Sequence, residues 1–233
     1  MFDQTDHQKH QLKVIDDIEQ SLLNNQQSFS VVEPVDDFFN DSRMALTAVH
    51  FPKASFLKKI RDEVLEPLKK ISPNHFYYPD EFIHMTVKNI KTIGDPPSFS
   101  EKEVEITKDV FEQVIPKYKP FKAYYYRLFL FKHNLALMGT TDPDLDNIIL
   151  ELDKSLSEVG VPDDKVYLND KYFFSNVTLI RFNEPITNEF KEKVVELSKN
   201  LKPFSYEIDS VTLLTCNAVM NKRTDVKTWE LGS

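Results

Sequence analysis

The sequence has few cysteines, a deficit of basic charge and no long apolar run. Its 233 residues include one cysteine, Cys216, which cannot form an internal disulfide and lies in an apolar stretch, so we expect a buried structural thiol. The net charge is −8, the opposite of the basic surface that grips long nucleic acid. No apolar run reaches membrane-spanning length, and no basic start precedes an apolar segment. These features favour a cytoplasmic protein with no membrane partner.

The composition predicts one compact unit with an N-terminal extension. A hydrophobic content of 41% is enough for a sizeable core. Residues 1–40 are expected to be an amphipathic helical extension that packs on the body or on a partner. Residues 41–233 are expected to form one domain of two pseudo-symmetric lobes, and we expect a monomer. The apolar stripe of the N-terminal helix is Leu12, Ile15, Ile18 and Leu22.

A histidine and a threonine stand two residues apart in the apolar run 82–88. In a β-strand the side chains alternate between faces, so His84 and Thr86 would point the same way. An imidazole beside a hydroxyl suits a phosphate, because the ring moves a proton and the hydroxyl binds an oxygen. By the same alternation, Lys88 would share this face and attract the phosphate. The alternative interpretations are a hydrogen-bonded histidine at a strand end and a solvated lysine.

A second stretch, residues 173–181, has the same apolar frame. Asn176 stands where the first stretch has its histidine, and Thr178 stands where the first has its threonine. Two related strands indicate an internal duplication whose halves face one another across a groove. Strict alternation turns Arg181 away from Asn176, which predicts a structural role for the arginine.

The order of predicted elements also repeats, as strand, helix, motif strand, helix and two strands. Ser55 is expected to cap one helix and Ser100 to open another through a capping box with Glu103. Asp142 is expected to cap the helix that Gly160 ends. The predicted strands cover residues 44–51, 82–88, 123–131, 135–140, 173–181, 204–219 and 228–231, and the last predicted helix covers 187–200.

With these motifs in view, the sequence resembles the 2H phosphoesterase family, which includes bacterial RNA 2′,5′-ligase-like proteins and cyclic nucleotide phosphodiesterases. That family has two His-x-Thr/Ser motifs on two central strands. His84-Met85-Thr86 matches the first motif, and Asn176-Val177-Thr178 matches the second except at the histidine. The resemblance implies an α+β fold with two duplicated lobes, two facing antiparallel sheets, helices outside and a central groove.

The resemblance also implies a chemistry. In the family, one histidine activates water or an internal hydroxyl and the other protonates the leaving oxygen of a cyclic or 2′,5′ phosphodiester, with no metal or other cofactor. The matching set here is His84, Thr86, Asn176 and Thr178. Asn176 cannot exchange a proton at neutral pH, although its amide can donate a hydrogen bond. Binding should therefore survive better than catalysis.

Other residues near the motifs have open roles. Tyr78 lies on the approach to the first motif and could stack on a base, although packing is its other interpretation. Lys222-Arg223 is expected to lie in a solvated loop. Tyr78, Tyr172 and His75 are close enough in sequence to be considered as replacements for the missing histidine.

Two function classes follow. The first is a phosphodiesterase acting on 2′,3′-cyclic or 2′,5′-linked nucleotides or RNA ends, slow because of Asn176. The alternative is a catalytically degenerate module that binds nucleotides or RNA ends. In both, the partner is a short RNA or nucleotide with a cyclic or 2′,5′ phosphate. An unrelated α/β protein with two chance motifs is the third interpretation.

Overall fold

The computed structural model describes residues 4–24 and 32–232. The helices are α1 (Asp6–Leu23), α2 (Ala54–Ile60), α3 (Glu66–Lys69), α4 (Glu101–Val114), α5 (Asp144–Glu158) and α6 (Asn188–Asn200), with a π-helical turn, Arg61–Leu65, between α2 and α3. The strands are β1 (Met44–His50), β2 (Phe76–Tyr77), β3 (Met85–Gly94), β4 (Phe121–Leu130), β5 (Asn134–Thr141), β6 (Ser175–Arg181), β7 (Phe204–Ile208), β8 (Ser210–Cys216) and β9 (Arg223–Glu230).

These strands form one antiparallel sheet in the order β7-β4-β5-β6-β3-β1-β8-β9, with β2 added beside β6. The prediction of an α+β fold with antiparallel strands is confirmed. The expected two sheets are two halves of this sheet, and they join where Met85 of β3 pairs with Val177 of β6. The half that contains β3 and β1 is built from both ends of the domain, because β8 and β9 return beside β1. The lobes therefore interleave along the chain instead of following one another.

Most local predictions hold, and the exceptions have physical causes. The capping box of Ser100 and Glu103 is confirmed, and Gly160 ends α5 with φ of 79°. Asp142 does not cap α5, because its carboxylate accepts hydrogen bonds from the Lys122 backbone N–H at 2.9 Å and the Tyr124 hydroxyl at 3.0 Å. Ser55 is not a cap either, since α2 begins at Ala54. The strand predicted over residues 204–219 is divided into β7 and β8, and β9 begins earlier than predicted, so it includes Arg223.

The main core lies between one face of the sheet and helices α2 to α6. Leu46 of β1, Leu137 of β5 and Leu213 of β8 have no exposed surface and point into it. Each strand alternates, so the neighbours of these residues point to the opposite face. That opposite face carries two smaller apolar clusters and the space between them.

Helix α1 packs on this second face, against β5 and β4. Ile15 is fully buried against a small cluster that includes Phe129, Ala136 and Met138. Gln11 is also fully buried. Its amide donates to the Thr141 hydroxyl at 2.8 Å, and its oxygen accepts from the Thr141 backbone N–H at 2.8 Å. The amphipathic helix thus packs on the body, and the domain boundary at residue 40 stays a prediction.

In the part of the chain that the structure describes, no helix combines the length and the apolar character that crossing a bilayer requires.

Strand β3 contains a one-residue bulge directly after the threonine of the first motif. Thr86 pairs with Val49 of β1, whereas Lys88 pairs with the next residue, Ala48, so Val87 is the extra residue. A bulge of this kind reverses the alternation beyond it. Lys88 therefore points to the core side, and Asn89 takes its place on the side of Thr86.

The prediction that Lys88 shares a face with His84 is thus wrong. The Lys88 side chain has no exposed surface, and its ammonium group forms ion pairs with Asp153 of α5 and Asp163. Its Nζ also lies 5.3 Å from the ring centre of Tyr167. A buried ammonium needs such partners, because desolvation of an unpaired charge is costly. Lys88 fastens the segment after α5 to the sheet.

We predict that Lys88→Met destabilises the protein. Breaking a buried ion pair by removing one partner costs about 3–5 kcal/mol, and we expect about 2–4 kcal/mol because Asp153 and Asp163 keep partial contact with solvent. Urea unfolding monitored by circular dichroism measures the free energy of unfolding. Lys119→Met at an exposed position is the matched control. An unchanged midpoint for Lys88→Met would contradict the structural role.

Candidate active-site groove

The second face carries a groove of about 300 Å³ at the junction of the two half-sheets. His84, Thr86, Asn176 and Thr178 all line it. Because Met85 pairs with Val177 in an antiparallel register, His84 lies beside Thr178 and Thr86 lies beside Asn176. The structure therefore brings the four predicted residues together. Their roles in binding and chemistry remain predictions.

His84 is held in a defined tautomer directly before β3. Its Nδ1 lies 2.7 Å from the carbonyl oxygen of Phe82. A carbonyl only accepts, so Nδ1 carries the proton and Nε2 has a free lone pair. Burial lowers the pKa of His84 to about 4, helped by the positive charges of Arg181 and Arg223 and opposed by the Phe82 hydrogen bond. At neutral pH the ring is an uncharged proton acceptor.

Strand β6 repeats the bulge of β3 after its own motif. Thr178 pairs with Ala136 of β5, whereas Ile180 pairs with the adjacent Leu135, so Leu179 is the extra residue. The reversed alternation brings Arg181 onto the face of Asn176, and Arg181 lines the groove. The prediction that Arg181 points away is thus wrong.

The two bulges make the motif strands equivalent beyond the predicted triplets. Asn89 stands three residues after Thr86, and Arg181 stands three residues after Thr178. Both side chains line the groove. The duplication therefore gives each half of the site a third polar residue.

Tyr78 has the packing role, which is the second of its two interpretations. It is 2% exposed and does not line the groove, so it is not available to stack on a base. Its hydroxyl accepts a hydrogen bond from Arg181 Nε at 2.8 Å and donates one to the Ala218 carbonyl at 2.8 Å. Burial raises the pKa of Tyr78, so the phenol stays protonated. Tyr78 orients the guanidinium group of Arg181.

Arg181 is a buried cation without an acidic partner among the described residues. It is 8% exposed, and none of the Asp or Glu side chains in residues 4–24 and 32–232 forms an ion pair with it. Its guanidinium carbon lies 5.6 Å from the ring centre of Phe38 and 6.0 Å from that of Tyr78. Buried charges are ordinarily paired, because desolvation is costly. An anion in the groove would supply the missing counter-charge.

The wider lining of the groove also carries positive charge. None of the described residues that line the groove is Asp or Glu, although the protein carries a net charge of −8. Lys165 is a second cation in the lining. Burial, together with the neighbouring charge of Lys88, lowers the pKa of Lys165 to about 8. The asparagines of the lining are Asn89, Asn134, Asn169, Asn176 and Asn217.

Of the groups considered as replacements for the missing histidine, Tyr172 alone lines the groove among the described residues. The ring of His10 from α1 stacks on it, with the ring centres 4.6 Å apart and the planes at 6°. His75 is buried elsewhere, 5.1 Å from the ring of Phe182 and 5.4 Å from that of Phe190. Cys216 is a buried thiol whose pKa burial raises to about 12, as expected of a structural cysteine.

Sequence reasoning missed Lys165 and Asn217. Lys165 lies in the segment between α5 and β6, which has no regular structure and therefore no periodicity to interpret. Asn217 follows β8, which reaches the groove only because β8 returns beside β1. No local pattern marks either residue.

Neither a protein-family model nor a curated protein sequence matches the chain. Solved structures do match. E. coli LigT in its apo form aligns with a TM-score of 0.55 at 14% identity, over 83% of this chain and 100% of LigT. TT0787 of Thermus thermophilus gives 0.55 at 14% identity, over 82% and 99%. A structure described as a phosphoesterase gives 0.53 at 14% identity, over 83% and 100%.

The chain has the fold of LigT. The expected resemblance to the 2H phosphoesterase fold is thereby confirmed at the level of fold. Identities this low say nothing further by themselves, so substrate and chemistry must be argued from the groove.

We predict that Arg181→Met weakens the binding of inorganic phosphate at least about tenfold, because charge-assisted hydrogen bonds are worth about 1.5–3 kcal/mol. Isothermal titration calorimetry measures the dissociation constant. Arg61→Met is the matched control, since Arg61 pairs with Asp80 at the surface and does not line the groove. Equal affinities for the two variants would show that Arg181 does not bind the anion.

Proposed function

We propose that this protein is a metal-independent phosphodiesterase acting slowly on 2′,3′-cyclic or 2′,5′-linked nucleotides and RNA ends. One observation carries the proposal. In a strongly acidic protein, the described residues that line the groove include no carboxylate, and an uncharged His84 lies there on one face with Arg181, which has no ion-pair partner among them. Such a groove attracts a phosphodiester and presents a base to it.

Each polar residue of the groove has a separate role in the proposed reaction. Arg181, Thr86 and Thr178 hold the nonbridging phosphate oxygens. For a cyclic phosphate, His84 Nε2 takes a proton from water, the water oxygen attacks phosphorus, and one ribose oxygen leaves. For a 2′,5′ linkage, the free 3′-hydroxyl takes the place of water and the 5′-oxygen leaves. The leaving oxygen takes its proton from solvent, because Asn176 only donates a hydrogen bond.

The slow rate follows from this last step. A positioned acid or base contributes about 10²–10⁴ in rate, and the second one is absent. The solved structures of LigT support the choice of ligand, since E. coli LigT is described in complexes with ATP, 3′-AMP and phosphate. Those ligands are stated for LigT, and their transfer to this chain belongs to the proposal.

Asn176 also favours the second candidate, a nucleotide-binding or RNA-end-binding module without turnover. Incubation with 2′,3′-cyclic AMP separates the two. Phosphorus NMR detects ring opening as a new monoester signal, and its appearance above the rate without protein supports the phosphodiesterase. Tight binding with no new signal supports the binding module.

Asn176→His should raise the hydrolysis of 2′,3′-cyclic AMP by at least about tenfold, because it supplies a second group that can exchange a proton. The pH profile at saturating substrate should gain a falling limb, since the added imidazole acts as an acid only while protonated. In the natural protein the rate should only rise with pH as His84 loses its proton.

Two variants control this experiment. Asn134→His places an imidazole elsewhere in the lining of the groove and should not raise the rate. His84→Ala should abolish hydrolysis with or without a histidine at position 176. If the rate rises equally for both histidine substitutions, position 176 has no special role.

The affinity for 3′-AMP should fall as pH rises through about 8, where Lys165 loses the proton that makes it cationic. The positive charge is present below this pKa and lost above it. The second pKa of a phosphate monoester is about 6, so the ligand keeps its charge between about pH 7 and 9.5. Calorimetry across that range measures the change. Lys165→Arg should remove it, and an unchanged slope in this variant would exclude Lys165 as the cause.

A further inference from the structure

Helix α1 turns one of its sides into the groove. Ile15 points down onto the sheet, and successive residues rotate by about 100° around a helix. Val14 and Ile18 therefore lie on one side of Ile15, and Asp16 and Glu19 lie on the other. The contacts agree, since both apolar residues line the groove, whereas the two acids approach a cation on β4.

The side of α1 that carries Val14 and Ile18 forms a wall of the groove, and this wall lies close to the second motif. Ile15 packs on Ala136 and Met138 of β5, and these residues pair with Thr178 and Asn176 of β6. Neighbouring strands lie about 4.8 Å apart. The wall formed by α1 therefore lies over β5, one strand away from Thr178 of β6, which is proposed to hold the phosphate.

The same end of the groove is apolar. Phe131 and Phe174 line it and pack against the cluster that Ile15 forms. Val14 and Ile18 are each 6% exposed. The motif strands beside this region carry the cationic Arg181 and the uncharged His84. The groove thus has a polar, cation-bearing region beside an apolar one.

The wall is fixed in place. Gln11 makes buried hydrogen bonds to both the hydroxyl and the backbone of Thr141, and it donates to the Phe173 carbonyl. Nearer the N-terminus, His7 Nε2 lies 2.7 Å from an Asp146 carboxylate oxygen. These contacts anchor α1 to the end of β5, to the segment before β6 and to α5.

We propose that α1 forms the nucleobase subsite, with Val14 and Ile18 packing on the flat apolar face of the base. This inference rests on the proposed function. A nucleotide joins a charged phosphate to a flat, largely apolar ring through one sugar, which matches a groove with a cation-bearing region beside an apolar one. Aliphatic contact with a ring face does not distinguish bases, so the subsite accepts any of them.

The test compares 3′-AMP with inorganic phosphate, which lacks a base. In the full chain, Ile18→Ala should weaken 3′-AMP binding about tenfold, as expected for the loss of about two buried methylene contacts, and change phosphate binding less than about twofold. Ile15→Ala is the matched control, because Ile15 is buried on the same helix but does not line the groove. It should lower the melting temperature and leave both affinities within about twofold.

Equal losses of 3′-AMP affinity in the two variants would overturn the inference, as would a natural protein that binds phosphate and 3′-AMP equally well. A natural protein that binds neither phosphate nor 3′-AMP would overturn the proposed function itself. Photolabelling with 8-azidoadenosine 3′-phosphate tests the unmodified protein and does not depend on variant folding. The peptide containing Val14 and Ile18 should be labelled in competition with 3′-AMP, and labelling confined to other peptides would contradict the subsite.

Discussion

A single ladder pair between β3 and β6 determines the shape of the site. Met85 and Val177 are fully buried on the core side, and the two strands pair nowhere else in the described structure. Toward its C-terminal end, β6 pairs with β2 instead of β3, so β3 is free to diverge from β6. The half-sheets can then separate on the motif side while their other faces stay packed on one core. Tighter pairing of these strands would close the groove, and loss of the pair would separate the motifs.

The motif residues were predictable because alternation holds within each triplet. His84 and Thr86 share a face, as do Asn176 and Thr178, and the family resemblance that these motifs carry implies the fold class. Alternation failed one step later, because a bulge is a property of strand pairing and not of composition. Simple alternation therefore predicts the wrong face for both Arg181 and Lys88. The prediction that Asp142 caps α5 is wrong for a similar reason, since its carboxylate accepts hydrogen bonds from β4, which is distant in sequence.

The parts of the site that could not be predicted all come from contacts distant in sequence. Lys165 reaches the groove from an irregular segment fastened by Lys88, and α1 becomes a wall only through its packing on β5. An amphipathic stripe predicts that a helix packs, but the surface it packs on depends on the whole fold. Val14 lies outside the predicted stripe and still lines the groove.

The charges in the groove depend on one another. Arg181 has no acidic partner in the described part of the chain, and its charge helps to keep His84 neutral, with a pKa of about 4. A base with so low a pKa is weak at neutral pH. A bound phosphate changes both conditions, because it offsets the charge of Arg181 and itself favours the imidazolium form. The proposed binding of the anion would raise the pKa of His84, so a ligand that pairs with the arginine would also make the imidazole a stronger base. An acidic residue permanently paired with Arg181 would give up this coupling, which is a physical reason for leaving the arginine unpaired at the cost of some stability.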